Sequence, residues 1–352
     1  MKPQNKSSRA ACSVILTIFA LIILSLVITE IVRVETFRRE KRTNISRYED
    51  SKNWMKDIPD DTPVSLITIP GTHDSASQNI VPAYFLKCQS SSVKAQLENG
   101  FRYLDMRLAL YPQRNGETTL HFVHAFGSCK LDARLFQARE LLIGHVLADI
   151  YLFLANNPSE TVIFCVKAEN SSDDIAEFSR VLQSHIAKGR QFWYTENRIP
   201  TLGEVRGKIV LCSRFTNEEG FGLYLSWSEQ NNKEALEDPV EVVELFAGFP
   251  RGVSSSYGNV SLYVQDRYKY WPEEKIDAFR QMLIRTGTEF AALNSLCLNF
   301  TSTSGGGTLS HPSAYAREIN SALLQTEIPE HSGIIIVDFA TEEIARHIWS
   351  AN

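Results

Sequence analysis

Eight short apolar segments recur after residue 54, and this repeat constrains the fold more than any other feature of the chain. Several segments are rich in Val, Ile and Phe without polar alternation, as expected for strands covered on both faces. Helical patterns lie between most of them, for example over 171–189 and 271–287. Repeated strand–helix units predict an α/β protein with a (β/α)8 barrel. The segments are residues 64–69, 101–110, 121–126, 161–166, 208–212, 260–264, 290–300 and 333–339.

The repeat is imperfect in two places. The second and third segments are too close for a full helix between them, and the connection over 213–259 is long, polar and weakly periodic. We therefore expect an irregular barrel. In the first segment, Pro70-Gly71 is expected to end the strand, because this dipeptide is a strong turn signal.

A polar side chain stands at the end of every apolar segment. The carboxyl ends of barrel strands share one mouth, where barrel enzymes place their active sites. The sequence therefore predicts one polar site made from all eight ends. Its members, in chain order, are His73 and Asp74; Asp105 and Arg107; His124; Lys167 and Glu169; Arg214; Asp266 and Tyr268; Asn299; and Asp338.

These residue types favour acid–base chemistry on an anion. Two imidazoles with nearby carboxylates suit proton transfer near neutral pH, and the planar guanidinium of Arg107 or Arg214 suits phosphate. The chain contains no H-E-x-x-H motif and no cluster of carboxylates at these ends, so we predict neither a metal nor another cofactor. A net charge of −5 without a basic cluster gives no indication of nucleic acid as a partner.

Residues 10–29 form a run of 20 residues without a charge. An α-helix of about 20 apolar residues crosses a hydrocarbon core. A cleavable signal peptide is the alternative, but its apolar core is usually about 7–15 residues long and is followed by small residues at the cleavage site. We predict a tail over 1–9, a transmembrane anchor over 10–32, a charged juxtamembrane linker over 33–53 that forms a solvated stalk, and one catalytic domain over 54–352.

Two signals in the sequence make opposite predictions for the orientation of this single-pass protein. Six cations follow the apolar run, which by the positive-inside rule would keep the large domain in the cytoplasm. Four N-x-S/T triplets argue for a glycoprotein whose domain is lumenal or extracellular, which is our prediction. The triplets begin at Asn44, Asn170, Asn259 and Asn299.

Several motifs together resemble one known family. In chain order they are "IPGTHDS", "LENGFRYLDMRL", "VHAF", "PSETVIFCVKAE", "RGKIVLCSRF", "VQDRY", "LNFTSTSGGG" and "IIIVDFA". They are similar to the X domain of phosphatidylinositol-specific phospholipase C, and most to its metal-independent bacterial type. The resemblance spans about residues 54–340. It implies an enzyme that cleaves phosphatidylinositol, or a glycosyl-phosphatidylinositol, to diacylglycerol and inositol 1,2-cyclic phosphate. With the predicted anchor, we expect this enzyme to be a membrane-bound monomer.

The resemblance also implies roles for the acid–base residues. His73 would be the general base that takes the proton from the inositol 2-hydroxyl, with Asp338 orienting its ring. His124 would be the general acid that protonates the departing oxygen, with Asp74 orienting it.

The remaining site residues would contact the phosphate and the sugar. Arg107 would stabilise the phosphate charge in the transition state, and Asp105 would hold Arg107 or join the acid relay. The inositol hydroxyls would be bound by Lys167, Arg214, Asp266 and Tyr268.

The sequence departs from the family pattern in two places, and the first of them, Ala125, leaves an alternative function open. Ala125 follows His124 where the family usually has Gly, and the fourth segment reads Lys-Ala-Glu rather than Lys-Lys-Glu. A barrel that binds inositol lipid without turnover is therefore the second hypothesis. Cys88 and Cys129 either form a disulfide or remain thiols, and Gly305–Gly307 either cradles phosphate or is merely flexible.

Overall fold

The computed structural model describes residues 6–43, 49–215, 221–231, 237–250, 256–289, 295–305 and 311–352. Its helices are α1 (Lys6–Thr43), α2 (Ala83–Leu86), α3 (Val93–Glu98), α4 (Ile143–Asn156), α5 (Ile175–Lys188), α6 (Leu202–Val205), α7 (Pro272–Glu289), α8 (Pro312–Leu324) and α9 (Glu342–Trp349). Its strands are β1 (Ile69–Thr72), β2 (Ile80–Val81), β3 (Tyr103–Pro112), β4 (Thr118–His124), β5 (Gly127–Cys129), β6 (Val162–Ala168), β7 (Trp193–Tyr194), β8 (Ile209–Ser213), β9 (Leu223–Tyr224), β10 (Glu241–Gly248), β11 (Tyr257–Gln265), β12 (Ser295–Phe300) and β13 (Ile334–Val337).

The central sheet is parallel in the order β11-β12-β13-β1-β3-β6-β8-β9. Strand β10 adds to β11 in the antiparallel direction. Two backbone hydrogen bonds join the end of β10 to the segment that follows β7, a strand paired with β8: the Gly248 N–H donates to the Asn197 oxygen (2.9 Å), and the Ile199 N–H donates to the Gly248 oxygen (3.0 Å). The predicted irregular barrel is confirmed.

The barrel strands are buried on both faces, which explains why their sequences do not alternate. Tyr103 and Cys165 pack in the barrel interior, in the cluster that contains Ile336. Their chain neighbours Leu104 and Phe164 pack outward, in the cluster formed with helices α4 and α5. Successive side chains of a strand point to opposite faces, so both faces need apolar residues.

The first strand lies later than predicted. Residues 64–66 form a 3-10 turn, and Pro70 and Gly71 lie inside β1 rather than ending it. A side chain at Gly71 would clash, because an added Cβ would stand 2.9 Å from Cδ1 of Tyr103. The glycine therefore allows close strand packing, and His73 follows the strand end directly.

The third apolar segment is not a barrel strand, contrary to the prediction. Strand β4 pairs antiparallel with the outer half of β3, from Leu108 opposite Phe122 to Pro112 opposite Thr118. This hairpin explains the short spacing that left no room for a helix. Because β4 returns towards the barrel, His124 at its end approaches the mouth from outside the ring.

The later segments also differ in detail. The connection over 213–259 contains β9 and β10, while 216–220, 232–236 and 251–255 lie outside the described residues. The described part of the seventh segment forms β12, Ser295–Phe300, and its residues 290–294 lie outside the described residues.

Helix α1 is continuous from Lys6 to Thr43. Its segment Ser13–Glu40 is long and apolar enough to cross a membrane, by length and composition. The predicted solvated stalk over 33–53 is wrong for 33–43, which continue the helix and bury Arg33 and Val34. Residues 44–48 of that predicted linker lie outside the described residues.

Candidate active site

His73 lies at the mouth directly after β1. Its Nδ1 is 2.7 Å from Oδ1 of Asp338, which follows β13, and its Nε2 is 2.8 Å from Nη2 of Arg107. A guanidinium nitrogen only donates hydrogen bonds, so Nε2 is the acceptor and Nδ1 carries the proton that it donates to Asp338. This is the tautomer that a general base acting through Nε2 requires.

His124 is held from the opposite side of the mouth. Its Nδ1–H donates to the Leu86 carbonyl oxygen at 2.9 Å, and Oδ2 of the buried Asp74 lies 2.9 Å from the same nitrogen. Burial alone lowers the pKa of His124, but the Asp74 carboxylate outweighs this effect, so the pKa is raised above its ordinary value. A raised pKa keeps the imidazole protonated, as a general acid requires.

The two imidazoles face each other. Their ring centroids are 5.9 Å apart, with an angle of 88° between the ring planes. Asp74 turns the chain immediately after His73 with a φ of 41°. The adjacent residues His73 and Asp74 therefore contribute to two different imidazole–carboxylate pairs.

Arg107 is the cation beside the two imidazoles. In addition to its contact with His73, its Nε is 3.2 Å from Oδ2 of Asp105 and its Nη1 is 3.5 Å from Oε1 of Glu169. Burial lowers the pKa of Arg107, but these two carboxylates more than offset it, and the pKa is raised well above its ordinary value. Arg107 is therefore a permanent positive charge in a fixed orientation.

Asp105 is fully buried beneath this guanidinium. Burial raises the pKa of the Asp105 carboxyl, but the guanidinium groups of Arg107 and Arg214 lower it by more, so the pKa lies below its ordinary range. Of the two roles expected for Asp105, the geometry supports holding Arg107, because the carboxylate stays ionised next to it.

The four residues expected to bind inositol line the same open cleft of about 720 Å³. Nζ of Lys167 is 2.7 Å from Oε2 of Glu169, and the Tyr268 hydroxyl donates to Oε1 of Glu229 at 2.5 Å. The other two, Arg214 and Asp266, both contact Trp227, as described below.

Trp227 was not predicted to contribute to the site. The Arg214 guanidinium carbon lies 3.5 Å from the centroid of the Trp227 ring, and the indole N–H donates to Oδ2 of Asp266 at 3.2 Å. Trp227 thus fixes one expected cation and one expected carboxylate. It lies in the polar connection over 213–259, where no sequence pattern marks it.

Glu169 was predicted at the mouth without a role, and it makes more contacts there than that prediction implied. It contacts Arg107 and Lys167, and its Oε1 also accepts the Ala125 N–H at 3.2 Å. Burial raises the pKa of Glu169, but Arg107 and Lys167 lower it to about 2. Its place two residues after Lys167, at a strand end, was a usable signal.

Asn299 was expected at the mouth but lies inside β12, fully buried. Its Oδ1 accepts from Nε2 of Gln265 at 3.0 Å, and its Nδ2 donates to the Phe279 oxygen at 3.1 Å. Asn299 therefore has a structural role. Of the glycine loop, only Gly305 is described, with a φ of 59°, and 306–307 lie outside the described residues.

Cys88 is a buried thiol in the wall of the cleft. Both Cys88 and Cys129 are free, so the disulfide alternative is not realised in the structure. The Cys88 sulfur lies 3.9 Å from Nδ1 of His124. Among the described residues, donor atoms that could hold a metal occur in two groups, Cys88 with His73 and Asp338, and Cys88 with Asp74 and His124. In both groups the carboxylate is already in contact with an imidazole.

Ala125 stands in the turn between β4 and β5 with a φ of 49°. This left-handed conformation is unfavourable for a residue with a Cβ and free of strain for glycine.

We expect Ala125→Gly to raise the free energy of unfolding by about 1 kcal/mol, because it relieves the left-handed strain. Urea unfolding followed by circular dichroism measures the change. The matched control is Ala148→Gly, on the exposed face of α4, which should lower stability by a similar amount. A destabilised Ala125→Gly would show that the Ala125 methyl makes a packing contact that outweighs the strain.

The fold and the site together define an α/β-barrel protein whose mouth holds two imidazole–carboxylate pairs around a guanidinium. The family profile described as "Phosphatidylinositol-specific phospholipase C, X domain" matches residues 68–215. The 1-phosphatidylinositol phosphodiesterase of Staphylococcus aureus strain Newman is 27% identical over 305 residues, which cover 82% of this chain and 88% of that protein. The protein of the same name from Listeria monocytogenes is 29% identical over 86% of this chain and 85% of its own length.

Solved structures agree with these relatives. The phosphatidylinositol-specific phospholipase C from Listeria monocytogenes superposes with a TM-score of 0.62 at 25% identity, over 86% of this chain and 98% of that one. A mutant of the Staphylococcus aureus enzyme superposes with a TM-score of 0.67, over 88% of this chain and all of the other; its 23% identity supports the fold alone. Residues 68–215 therefore match the X-domain family of phosphatidylinositol-specific phospholipase C, the family that the motifs indicated.

Proposed function

We propose that this protein is a phosphatidylinositol-specific phospholipase C that releases diacylglycerol and inositol 1,2-cyclic phosphate. The observation that carries the proposal is the facing pair of His73 and His124 with Arg107 beside them. The named activity of the Staphylococcus and Listeria relatives supports it.

In the first step, His73 takes the proton of the inositol 2-hydroxyl at Nε2, and the hydroxyl oxygen attacks phosphorus. In the structure Nε2 is occupied by the guanidinium of Arg107 at 2.8 Å. A bound phosphate would compete for the guanidinium, because charge-assisted hydrogen bonds to phosphate oxygens are stronger than one to a neutral imidazole. Substrate binding would thus free the base and place Arg107 on the charge that grows during the attack.

In the same step, His124 donates its proton to the glycerol oxygen that leaves as diacylglycerol. The carboxylate of Asp74 stabilises the imidazolium before transfer, and Asp338 stabilises the imidazolium that forms at His73. Hydrolysis of the cyclic phosphate could follow with the two histidines in exchanged roles, by microscopic reversibility.

The inositol ring would occupy the cleft between Lys167, Arg214, Asp266 and Tyr268. The substrate is phosphatidylinositol itself or a glycosyl-phosphatidylinositol. The non-catalytic alternative rests on Ala125, and the turn accommodates this residue while its N–H binds Glu169.

The cellular setting is part of the same proposal. Helix α1 would anchor the protein as a single-pass monomer with its domain on the lumenal or extracellular side. The exposed Asn170 and Asn259 could carry glycans, whereas Asn299 is buried, which removes it from the predicted set, and Asn44 lies outside the described residues.

The direct test is incubation of the purified chain in detergent micelles with phosphatidylinositol and, separately, with a glycan-anchored protein, both in excess chelator. We expect diacylglycerol and inositol 1,2-cyclic phosphate from at least one substrate. Binding of the lipid without products would favour the non-catalytic barrel, and products that appear only after calcium is added would contradict the role of Arg107.

The pH dependence tests the acid. Activity should fall as the pH rises through the raised pKa of His124, because the imidazole then loses the proton it must donate. In Asp74→Asn, the charge that raises this pKa is lost, and the alkaline limb of kcat/KM should move to lower pH by about one unit. The control is Asp277→Asn, on the exposed face of α7. If the alkaline limb of the kcat/KM profile does not move in Asp74→Asn, a group other than His124 sets that limb.

A further inference from the structure

One face of the anchor helix is packed against the catalytic domain. The side chains that are buried or half-buried recur along α1 at helical spacing, whereas Glu35 and Arg38 on the other side are exposed. We call this face the docked stripe; it consists of Glu30, Arg33, Val34, Phe37 and Glu40.

Arg33 makes the central contact of the docked stripe. Its side chain is only 3% exposed; it donates to the Asn79 side-chain oxygen and, at 3.2 Å, to the Arg134 carbonyl oxygen. Asn79 in turn donates to the Asp132 carbonyl oxygen at 2.8 Å. A buried guanidinium with these partners belongs to an interior, not to a solvated stalk.

Glu40 makes a second contact, at the end of the stripe that is remote from the apolar run. Lys87 Nζ donates a hydrogen bond to each carboxylate oxygen of Glu40, at 2.7 and 2.6 Å, and both side chains are largely buried. Lys87 directly follows Leu86, whose carbonyl oxygen holds His124. The stripe therefore reaches the segment that positions one of the two imidazoles.

Glu30 makes the third contact, where the uncharged run of α1 has just ended. Its Oε1 accepts the backbone N–H of Phe136 at 3.3 Å, and the Phe136 side chain is 68% exposed, next to the exposed Leu135. Glu30 and Glu40 are separated by about 15 Å along a helix. The domain is thus held along the first turns after the apolar run, with two exposed apolar side chains at the end nearest to that run.

We propose that α1 is a rigid strut, not a flexible tether: the docked stripe holds the catalytic mouth in one orientation and at one distance relative to the bilayer that α1 crosses, so the enzyme cleaves lipids of its own membrane and not those of an apposed one. The proposal rests on the proposed phospholipase function and on α1 as an anchor. The physical reason is that an unbroken helix joins the apolar run to the stripe, so rotation of the domain requires the buried Arg33 and Glu40 contacts to break.

The first experiment traps the docked state in membranes. In the full chain reconstituted into vesicles, a short bis-maleimide should link Glu40→Cys to Lys87→Cys in high yield. The matched pair Arg38→Cys with Lys87→Cys, on the exposed face, should link poorly. Equal yields from positions 38 and 40 would overturn the docked stripe, and this readout does not depend on activity.

The second experiment places labelled phosphatidylinositol either in the enzyme's own vesicles or in separate protein-free vesicles. The wild type should cleave only the former. Arg33→Ala with Glu40→Ala should gain trans cleavage, raising the trans-to-cis ratio about tenfold as the local confinement is relaxed, whereas Glu35→Ala with Arg38→Ala should behave as the wild type. The charge swap Glu40→Lys with Lys87→Glu re-forms the ion pair with reversed charges and should therefore keep the wild-type trans-to-cis ratio.

The Glu40→Cys/Lys87→Cys protein linked by the bis-maleimide tests whether the docked state is the active one. If the docked state is active, the linked protein should still cleave lipid in its own vesicles and should not cleave lipid in separate vesicles. Loss of cis cleavage on linking, or a wild type that cleaves both vesicle populations equally, would overturn the proposal. Activity of every variant in detergent micelles is measured in parallel, so failure of the phospholipase function itself would be seen there and not mistaken for failure of the strut.

Discussion

Replacing His73 with alanine is expected to lower kcat/KM for phosphatidylinositol by about 10³- to 10⁴-fold, the upper range for removal of a general base. The imidazole accepts the attacking proton at Nε2, and the structure shows it in that tautomer, with Nδ1 2.7 Å from Asp338. No neighbouring group replaces it easily, because Asp105 is ionised but already bound to Arg107. Micellar assays with cyclic phosphate detection measure the loss.

The matched control for this variant is His121→Ala. His121 lies three residues before His124, but its Nδ1 contacts Glu140 at 3.5 Å, and it is not among the residues that line the cleft. Its replacement should change kcat/KM by less than about twofold, as for a residue outside the reacting site. Thermal unfolding of both variants separates catalysis from folding. A His73→Ala protein that is folded and retains wild-type activity would remove the base from the mechanism.

Replacing Arg107 with lysine is expected to lower kcat by about 10²- to 10³-fold, the usual effect of losing a preorganised donor to a transition-state anion. Arg107 contacts Asp105, Glu169 and His73 with three different nitrogens. A lysine ammonium is a single point charge and cannot span all three while it faces a phosphate. The charge is conserved, so the loss measures geometry.

Two comparisons make this second result interpretable. Arg114→Lys, exposed in the β3–β4 turn, should leave kcat unchanged. Added calcium should not restore Arg107→Lys, because the carboxylates of the mouth are paired with imidazoles or cations. Restoration of full activity by calcium would mean that the mouth accepts a metal where we place the guanidinium.

Much of the site could be predicted because it depends on strand direction alone. His73 and Asp338 follow parallel strands, whereas Lys167 and Arg107 lie where the parallel pairing of β6 with β3 ends. All four line the cleft. No side-chain contact had to be known for this, since the carboxyl ends of parallel strands meet at one mouth.

The errors arose where local pattern and long-range packing disagree. Pro70-Gly71 is a turn signal in isolation, but in β1 the missing Cβ of Gly71 lets Tyr103 approach. The segment over 121–126 has the composition of a barrel strand, yet it pairs antiparallel outside the ring. The charged region after the apolar run suggested a stalk, although Arg33 and Glu40 find buried partners.

The sequence by itself determined the α/β-barrel class, the end of the barrel that carries polar groups, and the presence of two imidazoles with carboxylates and guanidinium groups at that end. These follow from periodicities and from residue chemistry, which are local properties. Only the tertiary structure decided that His124 enters on a hairpin, which nitrogen of His73 carries the proton, that Trp227 supports Arg214, and that α1 docks. Each of these depends on contacts between residues far apart in the chain, and hydrophobic periodicity does not encode which distant partner a side chain will meet.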